Sequence, residues 1–183
     1  MSRLTEYADM NPRAQAVVDG IARARNIDPA SINNVWKALA KHPAVNPQDF
    51  SSVRKLFSGA APLSREVIEP CLERLNCTLQ QGYGMTEASP CTHMTPTGDP
   101  RAHGTVGVCV ADTECCVVDA DGRRLGPGEG DGEIWVRGPQ VMRGYLNKPE
   151  ATKVTLDDDG WLHTGDIARV DERGYFTIVD RVK

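Results

Sequence analysis

The run Gln80-Gln81-Gly82-Tyr83-Gly84-Met85-Thr86-Glu87 gathers an aromatic ring, a hydroxyl and a carboxylate into a short stretch of chain. Tyr83 offers a flat face on which a base can stack. Thr86 has a hydroxyl that can donate to a phosphate, and Glu87 a carboxylate that can hold Mg²⁺. Gly82 and Gly84 allow close backbone approach and a sharp turn. The run follows an apolar strand pattern, so it is expected to project from a sheet end, where α/β proteins place ligands. It is not a dinucleotide fingerprint, because that motif needs glycine where Glu87 stands. The plainer reading is a glycine turn anchored by a tyrosine. A second segment, Gly160-Trp161-Leu162-His163-Thr164-Gly165-Asp166, ends in a carboxylate whose two oxygens can each accept one hydroxyl of a ribose cis-diol. Thr-Gly-Asp alone is also a common turn. His163, next to Trp161, reads as a packed or exposed strand histidine rather than a general base. Ser58-Gly59-Ala60-Ala61-Pro62 is a small-residue loop that leaves backbone groups free to meet a ligand, or a tight strand-to-helix connection. Arg181, alone, is an ordinary surface arginine.

These residues need elements to position them. Residues 13–25 space Ala14, Val17, Val18, Ile21 and Ala22 at three and four, the pattern of an amphipathic helix. Residues 31–41 give a second helix, with Ser31 as cap and His42-Pro43 as its stop. Residues 53–57 predict a strand, Ser64 to Leu75 a helix capped by Ser64, and Cys77 to Gln81 another strand. Strand–helix–strand implies two parallel strands with a right-handed crossover. Two parallel strands alone do not make a stable sheet, so either residues 1–100 hold further strands or the sheet continues into sequence absent here, and edges left unpaired are expected to fray or self-associate. From about Gly104 the pattern changes to short strands at Thr113–Val118, Glu133–Arg137, Ile167–Val170 and Tyr175–Val179. The last two flank a four-residue hairpin loop, Asp171 to Gly174. The expected fold is therefore α/β. A partial α/β subdomain over residues 1–100 precedes a small antiparallel β-barrel-like subdomain over 101–183, with a linker-like stretch near 95–104.

Composition bounds the function. The chain has 183 residues, 40% hydrophobic and 25% charged, with a net charge of -4. That balance argues against a nucleic-acid polymer or an anionic membrane surface as the partner. Mean hydropathy is -0.40, no stretch approaches a membrane span, and Met1 to Met10 lack the apolar core of a secretory signal. Residues 1–60 hold eight basic against five acidic side chains, and residues 61–183 thirteen against twenty. The acidic part is also the glycine-rich part. The six cysteines, 71, 77, 91, 109, 115 and 116, form no Cys-x-x-Cys pair and no sequence-local zinc pattern. Scattered thiols of this kind point to a reducing cytoplasm.

Taken in order, SGAAPLS (58–64), QGYGMTEASP (81–90), GEIWVRGPQVMRGYLNKPEAT (132–152), DGWLHTGD (159–166) and GYFTIVDRVK (174–183) resemble the adenylate-forming, AMP-binding superfamily. The wording GMTE and WLHTGD is similar to its acyl-CoA synthetase branch, near 4-coumarate–CoA ligase. The resemblance runs from about Ser52 to Lys183, and residues 35–45 look like the helix that precedes this region there. It implies that Tyr83 stacks on adenine, that Thr86 contacts the phosphates and that Glu87 serves Mg²⁺, with Thr86 and Glu87 as catalytic residues. It implies that Asp166 grips the ribose hydroxyls with Arg181 close by, and that Gly59, Ala60, Ala61, Gly82 and Gly84 border the nucleotide. Ala60, Gly82, Pro90 and Cys91 would line the acyl pocket, and Lys183 would mark the hinge between large and small domains. Trp135, Arg143 and Tyr145 would be structural.

Two family features have no counterpart among these residues. No Ser/Thr/Gly-rich phosphate loop ending in lysine precedes Ser58, and no small C-terminal domain follows Lys183. The expectation is an interior piece of an ATP-dependent acyl- or aryl-CoA ligase, inactive alone. In the parent reaction a carboxylic acid attacks ATP, an acyl-adenylate forms, and CoA takes the acyl group. Rival readings are an inert nucleotide-binding or interaction fragment and a structural remnant without ligand. Adenylate formation by the chain separates the first from the others, and AMP binding separates the second from the third.

Overall fold

The computed structural model describes residues 32–59 and 63–181. The helix read at 13–25, the Ser31 cap, Ala60, Ala61 and Lys183 lie outside them. The chain divides into two compact units, Met1–Gln80 with Thr97–Gly104, and Gln81–Pro96 with Thr105–Lys183.

The first unit is built on helix packing. Helix α1, Ile32–Lys41, buries Trp36, Leu39 and Ala40 while Lys37 and Lys41 face solvent. Asn46 then caps a short 3₁₀ turn, Pro47–Phe50, by accepting the Gln48 N–H, and Pro47 sits where a missing N–H costs nothing. Strand β1 is Lys55–Ser58 and helix α2 is Arg65–Leu75. Helix α2 buries Val67, Ile68, Cys71 and Leu75, a single stripe at helical spacing. Ser64 occupies the cap position, but its side chain makes no capping hydrogen bond, contrary to expectation. Asn76 ends the helix in the left-handed conformation (φ 49°), its N–H returning to the Leu72 carbonyl at 2.9 Å. One guanidinium joins the two helices. Arg74 donates to the carbonyls of Ala40 at 3.0 Å, His42 at 3.0 Å and Val45 at 2.6 Å. It thereby satisfies acceptors at and beyond the end of α1 that have no helical partner. The core of this unit joins Trp36, Phe50, Leu63, Ile68 and Leu79.

Strand β2 is Thr78–Gly84, longer than the sequence reading, and it contains the Gly82-Tyr83-Gly84 run. That run is strand, not a loop at a sheet end. Thr78 N–H donates to the Arg54 carbonyl at 3.1 Å, which sets the starts of β1 and β2 side by side as a parallel pair requires. Strands β3, Cys91–Met94, and β4, Val108–Cys109, complete the order β1-β2-β3-β4. Both were missed from sequence. They correct the expectation that β2 lacks a partner on one side, because β3 pairs with it antiparallel, Tyr83 opposite His93. In this order β1 and β4 are the edge strands.

The second unit holds an antiparallel sheet of order β6-β5-β7-β8-β9. Its strands are β5 Glu114–Val118, β6 Arg124–Leu125, β7 Gly132–Arg137, β8 Leu162–Val170 and β9 Phe176–Arg181. The sheet is open, with β6 and β9 at its edges, so the barrel-like expectation resolves to a sheet without closure. Alternation in β7 buries Gly132, Ile134 and Val136, and in β8 buries Leu162, Thr164, Asp166 and Ala168. A short helix α3, Pro149–Thr155, buries none of its residues. The unit's core gathers Ala88, Val117, Ile134, Val136, Leu162, Ala168 and Phe176.

Candidate functional site

Asp166 owes its direction to a bulge. Glu133 pairs with Ile167 and Trp135 with His163, so Ile134 alone opposes Thr164, Gly165 and Asp166. Bulges bend a strand and re-aim the side chains beside them. Gly165 adopts φ 72°, a conformation that favours glycine, and its N–H donates to Glu133 Oε1 at 2.7 Å. Trp135 Nε1 holds the other carboxylate oxygen of Glu133 at 2.9 Å. Thr164 Oγ1 donates to the Ile134 carbonyl at 2.8 Å and accepts the Asp166 N–H at 3.1 Å. Four neighbours therefore fix the bulge and leave the Asp166 carboxylate to other partners. The Thr-Gly-Asp segment is thus the middle of a strand, not a turn.

Those partners are Tyr83 and Arg181. Tyr83 O–H donates to Asp166 Oδ2 at 2.6 Å. Arg181 is the residue opposite Asp166 across β8 and β9, and its Nε lies 3.4 Å from Asp166 Oδ1. Burial raises the Tyr83 hydroxyl well above the usual tyrosine range, and the bond to Asp166 raises it further. The proton therefore stays on Tyr83, and Asp166 acts as acceptor. Asp166 is buried while the Arg181 side chain is largely exposed. Three residues nominated from distant parts of the chain thus meet in one group, joined by a hydrogen bond and an ion pair.

Gly84 is explained by packing. A Cβ placed there would lie 1.7 Å from the Pro90 carbonyl oxygen, and Met85 N–H donates to that same oxygen at 2.8 Å. The close approach is that of Pro90 backbone at the irregular end of the β2–β3 pair. Gly82 pairs with Met94 inside the sheet. Thr86 and Glu87 stand on a 3₁₀ turn, Thr86–Ala88, with Thr86 exposed and Glu87 half-buried. Tyr145 O–H donates to Glu87 Oε1 at 2.7 Å, and Met142 N–H donates to the Glu87 carbonyl at 2.7 Å. Sequence reading treated Tyr145 as purely structural and missed this contact. Nothing local signals it, because the two residues lie 58 positions apart. Pro90 is exposed and Cys91 half-buried at the start of β3. Gly59 belongs to the first unit. His163 stacks on Trp135, ring centroids 4.0 Å apart and planes 11° from parallel, so of the packed and exposed readings the packed one holds.

The arrangement provides an acceptor pair for vicinal hydroxyls beside an aromatic ring, with a guanidinium at the rim. The Asp166 oxygens each keep lone-pair capacity beyond the single contact they make, so the group fits a ribose diol. Glu87 accepts from Tyr145 through Oε1, while Oε2 accepts no hydrogen bond from a described side chain. A half-buried carboxylate with one oxygen left over fits a Mg²⁺ ion that takes few protein ligands.

Comparison with known proteins gives one direction. Residues 8–146 match the model of the family described as AMP-binding enzyme. A 4-coumarate–CoA ligase of Oryza sativa subsp. japonica is 47% identical over 178 residues, covering 92% of this chain and 30% of that protein. The long-chain-fatty-acid–CoA ligase of Archaeoglobus fulgidus superposes with a TM-score of 0.75 at 27% identity, covering 93% of this chain and 37% of that one. An anthranilate–CoA ligase solved with anthranoyl-AMP superposes with a TM-score of 0.73 at 27% identity, covering 81% and 28%. The chain thus spans between 26% and 31% of the length of the first curated relatives it matches.

Proposed function

Because the chain belongs to the AMP-binding enzyme family, we propose that its residues bind the adenosine end of ATP in the activation of a carboxylic acid for transfer to CoA. The observation that carries this reading is the group formed by Tyr83, Asp166 and Arg181. In it Asp166 accepts the two ribose hydroxyls, the Tyr83 ring stacks on adenine, and the Tyr83 hydroxyl holds the carboxylate in place. Arg181 balances the charge of Asp166 at the solvent side. Thr86 contacts phosphate. Glu87, steadied by Tyr145, is the residue we assign to Mg²⁺, which when bound offsets phosphate charge. Gly59, Ala60 and Ala61 border the nucleotide, Gly82, Pro90 and Cys91 border the acyl group, and Lys183 is the hinge position, all on the resemblance alone. The anthranoyl-AMP of the related ligase supports an aryl or acyl adenylate as the intermediate.

Six cysteines with no disulfide between them support a reducing, cytoplasmic setting. No helix among the described residues is long and apolar enough to cross a membrane. Self-association, where it occurs, is proposed to use the open edge of β1.

Calorimetric titration of the chain with AMP and with 2′,3′-dideoxy-AMP tests the site. Asp166→Asn should weaken AMP by about 1.5–3 kcal/mol, the worth of a charge-assisted hydrogen bond, and leave the dideoxy analogue nearly unchanged. Tyr83→Phe keeps the stacking face and should weaken AMP alone, because it loosens Asp166. Tyr83→Ala should weaken both ligands by about 1–3 kcal/mol. Equal losses for the two ligands with Asp166→Asn would refute the ribose role.

A further inference from the structure

His93, Cys109 and Cys115 are distant in sequence and lie on three different strands, yet their ligand atoms all fall within 4.8 Å of one another. The register makes this possible. His93 of β3 is directly opposite Cys109 of β4, and the connection from β4 to β5 returns Cys115 to the same place. Period two in β5 puts Cys115 on the core face with Val117 and sends Cys116 to the other face. His93 is fully buried, and both cysteines are half-buried.

The histidine is oriented as a ligand. Its ring lies between Tyr83, centroids 5.6 Å apart, and Phe176, 4.5 Å. Thr92 Oγ1 donates its single proton to the Tyr83 carbonyl at 3.3 Å and lies 3.0 Å from His93 Nδ1. With the hydroxyl proton on that carbonyl, only acceptor capacity is left for the ring, an arrangement that favours the tautomer protonated at Nδ1. Nε2 then presents its lone pair to Cys109 Sγ, 3.7 Å away. A partner on the far nitrogen that fixes the tautomer is the usual outer contact of a metal-binding histidine.

We propose that His93 Nε2, Cys109 Sγ and Cys115 Sγ form a site for a thiophilic divalent cation of the Zn²⁺ class. Two thiolates and one neutral imidazole cancel a 2+ charge, which suits a largely buried position. The donors are sulfur and nitrogen, so Mg²⁺ and Ca²⁺, which take oxygen, are not served. Binding breaks two S–H bonds and forms two metal–sulfur bonds. Two protons pass to the buffer, and no electron is transferred. Zn–S near 2.3 Å and Zn–N near 2.0–2.1 Å require donors roughly 3.4–3.8 Å apart, so the widest separation closes by about 1 Å. Three protein ligands leave a fourth tetrahedral position for water, reached past the half-buried sulfurs. The site ties β3, β4 and β5 together and is independent of the adenosine reading.

The test uses the full chain, reduced, metal-free and under nitrogen, titrated with Co²⁺ as a spectroscopic stand-in and then with Zn²⁺. Expected is one equivalent of Co²⁺ with thiolate charge-transfer and tetrahedral d–d bands, displaced by Zn²⁺. Cys116→Ser should bind alike. Thr92→Val should weaken binding by ~10–100-fold, the cost of losing an outer partner, and Cys109→Ser or Cys115→Ser by more than that. Alkylation footprinting of the unmodified chain avoids any folding defect in the variants. Zn²⁺ should protect Cys109 and Cys115 and leave Cys116 labelled at its former rate. Absence of the bands would overturn the proposal. So would bands that persist in both serine variants, protection of Cys116 instead, or a Cys109–Cys115 disulfide on admitting air with no prior metal uptake.

Discussion

The two units bury different chemistry. The core of the first is hydrocarbon, Trp36, Leu39, Val45, Phe50, Leu63, Ile68 and Leu75, and its main polar tie is Arg74 capping carbonyls. Of the seven buried polar or charged residues described, six belong to the second unit: Gln81, Thr92, His93, Thr95, Thr164 and Asp166. A buried polar group costs free energy unless its hydrogen bonds are supplied in full. The second unit supplies most of them with a bulge, cross-strand hydroxyls and a carboxylate latch, while Gln81 Oε1 is buried without a partner. The described core of the first is organised for cohesion. The second gives up some cohesion to hold acceptors at fixed positions.

The contrast is tested hardest by removing bulk from the first unit. Phe50→Ala should cost about 3–5 kcal/mol of stability, read by urea unfolding, while leaving the ratio of AMP to dideoxy-AMP affinity unchanged. A shifted ratio would break the separation between cohesion and chemistry. Next in size, Gly84→Ala forces a Cβ onto the Pro90 carbonyl. Overpacking of this kind costs ~1–3 kcal/mol or more, and amide exchange should quicken first in β2 and β3. A neutral Gly84→Ala would mean that the glycine serves a ligand and not the backbone.

Tyr83→Phe comes third, with a loss of ~1.5–3 kcal/mol for a hydrogen bond to a charged acceptor. It also has a pH signature. An unfolded tyrosine ionises near ~10, and the folded Tyr83 hydroxyl ionises higher because of burial and then Asp166. A raised folded value favours the fold fully below ~10, and that contribution is lost as pH climbs through the folded value. Alkaline denaturation of Tyr83→Phe should therefore lack the loss expected of the parent, and its ultraviolet titration should lack the late-ionising tyrosine. Smallest is Tyr145→Phe. It removes the hydroxyl held by Glu87 at a half-exposed position, so stability should move by no more than ~0.5 kcal/mol. The Mg²⁺ dependence of nucleotide binding should change instead. A large stability loss would show that Tyr145 serves the fold, as the sequence reading had it.

Helix α2, β5, β7 and the β8–β9 hairpin were legible because each carries its own period and its own turn chemistry. Strands β3, β4 and β6 were not. They are short, and the last two have only two residues each, so no alternation can establish itself. Missing β3 produced the false expectation of an unpaired β2 and placed Gly82-Tyr83-Gly84 in a loop. Glu133 and Thr164 escaped notice for another reason. Each looks like an ordinary strand residue, and each acquires its task from a partner about thirty positions away.

The sequence by itself determined the residue types proposed to meet a nucleotide, their order along the chain and the family the chain belongs to. Those depend on local wording, which survives in any conformation. Tertiary structure alone decided which groups touch. It set Tyr83 on Asp166, Tyr145 on Glu87, and His93 beside Cys109 and Cys115. The contacts of Tyr83, Asp166, His93, Cys109 and Cys115 arise from strand register and a bulge, and a shift of one residue in register would turn such a strand side chain to the opposite face. Tyr145 and Glu87 meet instead through a loop and a 3₁₀ turn.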